Sequence, residues 1–341
     1  MILKDNKAPY LFRHSLLKVM LCALGAVISI TVIAQDVHFS QYFNNPLSLN
    51  PALTGKVDGT FRIGVDYRNQ WSGLGSRKPY STPSFYGDVP IRFKSKDILG
   101  VGLNIINDKS SGGLLTSFSG LVSTAFHKAM GNTKNHFFSF GLQFGFLQKR
   151  LDRVNIKLGD QADLSGNSVD LNDLKGSDGG FDMNSGFDWS SRFSDRAAIH
   201  MGYAAFHITQ PGIAFFSDDE SLPVRHSFSF ESDFGLAKHF RLQPLLYYIS
   251  QAKSHQTYLG LSLGFPFSNR TGMYLGSYFR LQGAAIPYFG LDIKGFKLGV
   301  SYDITTSSLD NTGGGIEISI IYIGRYIPVP DVVPSLYCPR F

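Results

Sequence analysis

Charge is scarce in this chain of 341 residues. Asp, Glu, Lys and Arg make up 17% of it, against about 25% in an ordinary soluble domain. Cysteine is scarcer still, with only Cys22 and Cys338. If the first of these is lost with an N-terminal signal, no internal disulfide can staple the fold. Beyond the first 34 residues no stretch carries a helical period long enough to matter, and mean hydropathy is −0.03. A bundle of membrane helices is thereby excluded. The nine histidines include no pair at metal-ligand spacing, and neither a metal nor a cofactor is expected. Net charge is +6, but Lys4, Lys7, Arg13, Lys18 and Asp5 precede residue 35, leaving 28 basic against 25 acidic residues, or +3. That excess is scattered, which argues against nucleic acid as a partner.

What is abundant points to strands. The chain holds 29 Phe, 16 Tyr and 36 Gly, residues of sheets and turns more than of helices. At the N-terminus a basic region ending at Lys18 precedes "VMLCALGAVISITVIA", about the length of a signal h-region and short for a membrane span. Val32 and Ala34 offer a cleavage site, so residues 1–34 read as a signal peptide and the mature chain starts near Gln35. Leu21 is too bulky for a lipoprotein signal at Cys22. An uncleaved anchor helix is the alternative.

The segment "FRIGVDYRNQW" (61–71) alternates strictly: Phe61, Ile63, Val65 and Tyr67 on one side, Arg62, Gly64, Asp66 and Arg68 on the other. "FSFGLQFGF" (138–146), "YLGLSLGF" (258–265) and "FKLGVSYDIT" (296–305) repeat the pattern. Period two means a strand with one apolar and one polar face. Fourteen strands are predicted near 59–71, 80–93, 97–107, 115–128, 135–149, 181–192, 196–206, 226–236, 240–250, 254–264, 271–281, 285–294, 296–304 and 313–324. Even-numbered connections are short, and the two longest, 150–180 and 207–225, are odd-numbered. Short turns at one end and long loops at the other mark an outer-membrane barrel. A soluble sandwich also alternates, but strands of ten or more residues favour spanning a membrane. The predicted fold is an all-β, transmembrane outer-membrane β-barrel of about 14 antiparallel strands over 59–326, with apolar faces towards lipid and charged ones in the lumen. The lumen faces are rich in Gly, which fits either local curvature of the wall or a packed plug or inserted partner segment.

Ahead of the first strand, "QDVHFSQYFNNPLSLNPALTG" (35–55) carries two Asn-Pro pairs, which favour turns and forbid regular structure. Its many apolar residues need burial, so residues 35–58 are expected to plug the lumen or cap its periplasmic mouth, the alternative being a disordered leader. The tail 327–341, "YIPVPDVVPSLYCPRF" with its preceding Tyr, has four Pro and suits docking to a partner.

"FSQYFNNPLSLNPALTG" followed by "FRIGVDYRNQW" resembles the start of PorP/SprF-type proteins of the type IX secretion and gliding machinery. "HITQPGIAF" (207–215) with "LPVRHSF" (222–228), "YFRLQGAAIPYFGLDI" (278–293), "VSYDITTSSL" (300–309) and the final "YCPRF" resemble the family as well. The long 150–180 loop and Gly212 depart from it. The resemblance implies an outer-membrane barrel without enzymatic activity, exported by its signal peptide and set in membrane lipid. Its implied partners are periplasmic type IX secretion components and a large secreted surface adhesin or other secreted substrate. An outer-membrane channel for hydrophobic or small polar solutes is the alternative function. Nominated for partner binding or plugging are Phe39, Tyr42, Asn45, Pro46, Asn50, Pro51 and Gly55 of the leader and Arg68 and Trp71 of the first strand. His207, Pro211, Arg280, Asp292 and Asp303 come from the later motifs, and Cys338 and Phe341 from the tail.

Three further motifs carry less. "GLSLG" (260–264) matches a nucleophile elbow, but Ser262 falls inside an alternating strand instead of on a strand-to-helix turn. His207 and His226 flank one loop and are expected to meet at its base in a hydrogen-bonding role. The carboxylates Asp152, Asp160, Asp163, Asp170, Asp173 and Asp178 of the 150–180 loop lack EF-hand spacing.

Overall fold

The computed structural model describes residues 36, 38–70, 79–110, 113–131, 135–152, 176–213, 220–268, 270–281, 283–306 and 313–326. Residues 1–35, where a signal peptide is expected, Trp71, most of the 150–180 loop, and the tail with Cys338 and Phe341 lie outside the described residues. Fourteen strands follow one another: β1 (Phe61–Gln70), β2 (Tyr80–Arg92), β3 (Ile98–Ser110), β4 (Leu115–Met130), β5 (His136–Leu151), β6 (Ser177–Ser194) and β7 (Ala197–Phe206). Then come β8 (Arg225–Ala237), β9 (Phe240–Gln251), β10 (Ser254–Ser268), β11 (Thr271–Arg280), β12 (Ala284–Ile293), β13 (Phe296–Thr305) and β14 (Gly315–Gly324). Each pairs with its neighbours in sequence, and β1 pairs antiparallel with β14 from Phe61↔Gly324 to Gln70↔Gly315, closing a barrel. Closure leaves no exposed strand edge.

The strands match the predicted set in number and order. The main difference is length: β5 runs to Leu151 and β6 begins at Ser177, so the fifth connection is 152–176. Lys149↔Asp178 and Arg150↔Ser177 remain paired in the ladder, because the alternating face continues past the point where the loop's polar composition begins. Strands of ten to eighteen residues meet or exceed the roughly 9–11 needed to cross a bilayer with tilt. Among the described residues no helix is long and apolar enough to cross a membrane.

The two faces differ as the alternation requires. On β1, Ile63, Val65 and Tyr67 are 42–44% exposed on the outer wall, while Arg62, Asp66 and Arg68 are 8%, 3% and 1% exposed in the lumen. Six even-numbered connections, none longer than the five residues 93–97 or 131–135, gather at one end, here the short-turn end. The connections 152–176 and 207–224 lie at the other, the loop end.

The lumen is the core. Tyr42, Phe43, Leu49 and Leu53, all ahead of β1, pack with Leu245, Tyr247 and Ile249 of β9, Tyr258 of β10, Tyr278 of β11 and Ile286 and Tyr288 of β12. Tyr42 stacks on Tyr247 at 4.3 Å between ring centroids, and Phe43 meets Tyr278 and Tyr288 at 5.1 and 5.2 Å.

Candidate functional site

The leader is not a featureless run of turns. Each Asn-Pro pair opens a short helical turn: Pro46–Leu49 is one turn of α-helix and Pro51–Leu53 one of 3-10 helix. Asn45 Oδ1 accepts from Ser48 N at 3.2 Å, and Asn50 Oδ1 accepts from Ala52 N at 2.9 Å. Asn caps the orphan N–H groups, and Pro at the first helical position has no N–H to leave unpaired. This departs from the expectation that the pairs forbid regular structure. Asn-Pro breaks a helix arriving from upstream but is well suited to start one.

The leader crosses the lumen from end to end. At the loop end Asp36 N donates to Gln251 Oε1 at 3.1 Å. At the short-turn end Thr60 N donates to Gly324 O at 2.8 Å. Between them, wall and leader share buried charges. Arg68 donates to Asp303 and to Glu317, both at 2.7 Å. Ser40 N and Gln41 N donate to the two Glu317 oxygens at 2.8 and 2.7 Å. Ser40 Oγ donates to Asp303 at 2.6 Å and accepts from Arg68 at 2.5 Å. Nearer the short-turn end Arg62 forks onto Asp88 at 2.9 and 2.7 Å, and Gly55 N donates to the same carboxylate at 2.6 Å. Lys56 pairs with Asp188, which also faces His200. Buried charges are tolerated only with such pairing.

Close packing of backbone against wall accounts for glycines that the sequence left open between curvature and a plug. A Cβ on Gly141 of β5 would lie 2.3 Å from the Pro51 carbonyl carbon, and one on Gly100 of β3 would lie 1.9 Å from Thr54 O. Gly55, facing Gly100, has φ +74°, a conformation that a side chain disfavours. The wall is hollowed where the leader's backbone passes.

At the loop end one imidazole bridges two carboxylates. His207 Nε2 lies 2.6 Å from Asp36 and Nδ1 2.9 Å from Asp182. Both ring nitrogens facing carboxylates requires the doubly protonated ring. Burial alone opposes that charge, yet Asp36 and Asp182 overcome it and push the His207 pKa up to about 9. Burial would likewise raise Asp36, but His207, Arg225 and Lys149 hold its carboxyl far below the ordinary range. Arg225 stands 3.5 Å from Asp36 and lies over the Phe206 ring at 4.1 Å.

Most of the nominated residues converge on this lumen. Phe39, Tyr42, Asn45 and Pro51 are buried there, Asn50 Nδ2 donates to Phe187 O and Tyr203 O at 2.9 and 3.3 Å, and Pro46 and Gly55 lie along the same path. Arg68 and Asp303 form the ion cluster, with Arg280 3.5 Å from Asp303. Pro211 O holds the loop by accepting from Leu222 N at 2.9 Å. Asp292, opposite Lys297 towards the short-turn end of β12, stands apart from the cluster at the loop end. His207 and His226 do not meet: His207 points inward, whereas His226 is exposed and bonds Tyr203 Oη at 2.8 Å on the outer face. Strand parity would put both on the outer face, since His226 pairs with Ala205, two residues before His207, but His207 lies just past the end of β7 with φ +58°, and that left-handed turn swings its ring inward. Ser262 is buried within β10, not on a turn. Among the described residues no group of three or more His, Cys, Asp or Glu is arranged to hold a metal ion. Lys56, Asp88, Asp182, Asp188 and Glu317 were missed. The available signal was a charge at an inward position of an alternating strand, as at Asp182, Asp188 and Glu317.

The family described as "Type IX secretion system membrane protein PorP/SprF" matches residues 31–322. Among curated proteins no sequence matches. Solved structures similar in fold include the CymD monoaromatic hydrocarbon channel (11% identity, 82% of this chain and 92% of that one, TM-score 0.50). The Pseudomonas putida toluene transporter TodX (10%, 85% and 94%, 0.49) and a Pseudomonas aeruginosa FadL homologue (10%, 80% and 92%, 0.44) are also similar. At such identity the likeness concerns the barrel alone.

Proposed function

This chain belongs to the PorP/SprF family of type IX secretion system membrane proteins, and on that premise we propose that it is a non-enzymatic outer-membrane component joining periplasmic secretion partners to a secreted, surface-held substrate. The observation that carries the reading is the leader. A segment that spans the lumen, anchored at Asp303 and Glu317, Asp88 and Asp188, suits a barrel that holds partners at its two ends better than one that conducts. The alternative, a channel for hydrophobic or small polar solutes, needs the path that the leader occupies. In this reading the short-turn end and the tail 327–341 face periplasmic components, and the connections 152–176 and 207–224 face the surface substrate.

The test is a pull-down of the tagged protein from outer membranes in mild detergent, with co-purifying proteins identified. The expected result is a large secreted surface protein or periplasmic secretion proteins at comparable stoichiometry, with the periplasmic set lost on deletion of 327–341. A lone, monomeric barrel contradicts the reading.

A further inference from the structure

The short-turn end carries a collar of cations. Five of its six turns present a Lys or Arg: Lys94 and Lys96 in 93–97, Arg196 in 195–196, Lys238 in 238–239, Arg270 in 269–270 and Lys294 in 294–295. Lys94, Arg196, Lys238 and Lys294 are exposed, and Lys96 and Arg270 are half-buried. Among the described residues none of the six forms an ion pair. Acids there are few. Asp58 is held by Arg325 and Asp97 by Lys128, which leaves Asp195 as the exposed acid of the described turns. Backbone geometry sets two of the cations apart. Lys96 and Lys294 have φ +72° and +52°, left-handed positions where Gly or Asn is the easier residue. They are the two non-glycine residues with positive φ in the described short turns. A turn alone does not call for lysine there, so each charge is kept against the backbone's preference.

The wall beside each turn says where the cations stand. Phe93, Phe193, Leu236, Phe267 and Ile293 are 46–62% exposed on the outer face, and on a membrane barrel such side chains are covered by lipid. In each case a cation follows one to three residues later. At about 3.3 Å per residue it lies within about 10 Å of the apolar edge, and the headgroup layer is roughly 5–7 Å deep on each side of a bilayer. Long Lys and Arg side chains reach phosphates at that depth. The turns run from β2–β3 round to β12–β13, so the cations surround most of the barrel. A protein seated on the mouth would meet the turn tips, but lipid adjoins both the cations and the apolar side chains next to them. A zwitterionic headgroup sets its own ammonium against its phosphate, whereas an anionic one leaves that charge for the protein to meet. We propose that the short-turn rim is a collar for anionic phospholipid headgroups, each turn cation taking a lipid phosphate beside an apolar anchor sunk among the acyl chains. The collar rests on the barrel spanning a bilayer and not on any protein partner.

The test reconstitutes the full chain in phosphatidylcholine vesicles. Electron spin resonance of spin-labelled phosphatidylglycerol and spin-labelled phosphatidylcholine then gives the association of each lipid with the barrel. One variant combines Lys94→Gln, Lys96→Gln, Arg196→Gln, Lys238→Gln and Lys294→Gln. A second combines Lys109→Gln, Arg150→Gln and Lys253→Gln, three exposed cations towards the loop end. Heat-modifiable migration verifies that each barrel is folded. The expected result is a preference for phosphatidylglycerol of about threefold or more at low salt, falling to near one in the rim variant and in 1 M salt but kept in the loop-end variant. Equal association of the two lipids with wild type overturns the collar. So does a preference that survives in the folded rim variant or is lost equally in the loop-end variant. If the rim variant does not fold, Lys94→Gln with Lys294→Gln is read in its place, and an unchanged preference there overturns the collar likewise. A rim variant that keeps the lipid preference but loses periplasmic proteins in the pull-down assigns the cations to an acidic protein surface instead. Lipid association is measured without partners, so failure of the collar and failure of the general reading give different results.

Discussion

Arg68 of β1 and Glu317 of β14 are register partners across the seam that closes the barrel, and they are joined at 2.7 Å. The same Glu317 carboxylate accepts two backbone N–H groups of the leader. Closing the barrel and seating the leader are therefore one event at this point. Replacing Arg68 by Met removes the cation from two buried carboxylates, Asp303 and Glu317. Breaking a buried pair by removing one partner costs about 3–5 kcal/mol. The expected outcome is a lower unfolding midpoint in urea for Arg68→Met, with much of the loss recovered when Asp303→Asn and Glu317→Gln are added.

Gly141 should not tolerate a side chain. Its Cβ would press on the Pro51 carbonyl carbon and the Ala52 nitrogen, at 2.3 and 2.4 Å, and both belong to backbone. Overpacking of this kind costs about 1–3 kcal/mol. Gly141→Val is expected to keep its strands by circular dichroism while residues 38–58 become cleavable by added protease. Protection equal to wild type would mean that the leader does not press on β5.

The His207 bridge has a defined pH range. Its folded pKa of about 9 stands above the ordinary 6.5. A raised pKa contributes stability that is complete below about 6.5 and is lost as pH rises through 9. His207→Gln should therefore lower the thermal midpoint at pH 6, and the gap from wild type should shrink towards zero by pH 10. A gap constant with pH would show that the imidazolium contributes nothing.

Asn50 serves leader and wall together, capping Ala52 N and donating to carbonyls of β6 and β7. Asn50→Ala loses both and is expected to cost about 1–3 kcal/mol, read from urea unfolding. Asn50→Asp keeps the cap and loses the donors, so its loss should be intermediate or larger if the charge stays buried.

Much of the fold was legible because barrel strands are a period-two pattern, and each face is set by local parity. The inward charges Arg62, Asp66 and Arg68 were readable on that basis. Their partners were not. Asp303 and Glu317 are more than 200 residues from Arg68 in sequence, and no local rule reveals which strands will close. The leader's apolar residues required burial, but the path from Asp36 at one end to Thr60 at the other depends on contacts with β3, β5, β6, β9 and β14.

Conductance of the purified wild-type protein in a planar bilayer tests the central claim, a lumen occupied by the chain's own leader, most directly. The account predicts no steady unitary current with wild type, and steps that appear with Gly141→Val. A steady, ohmic conductance through the wild-type barrel would contradict it and favour the channel.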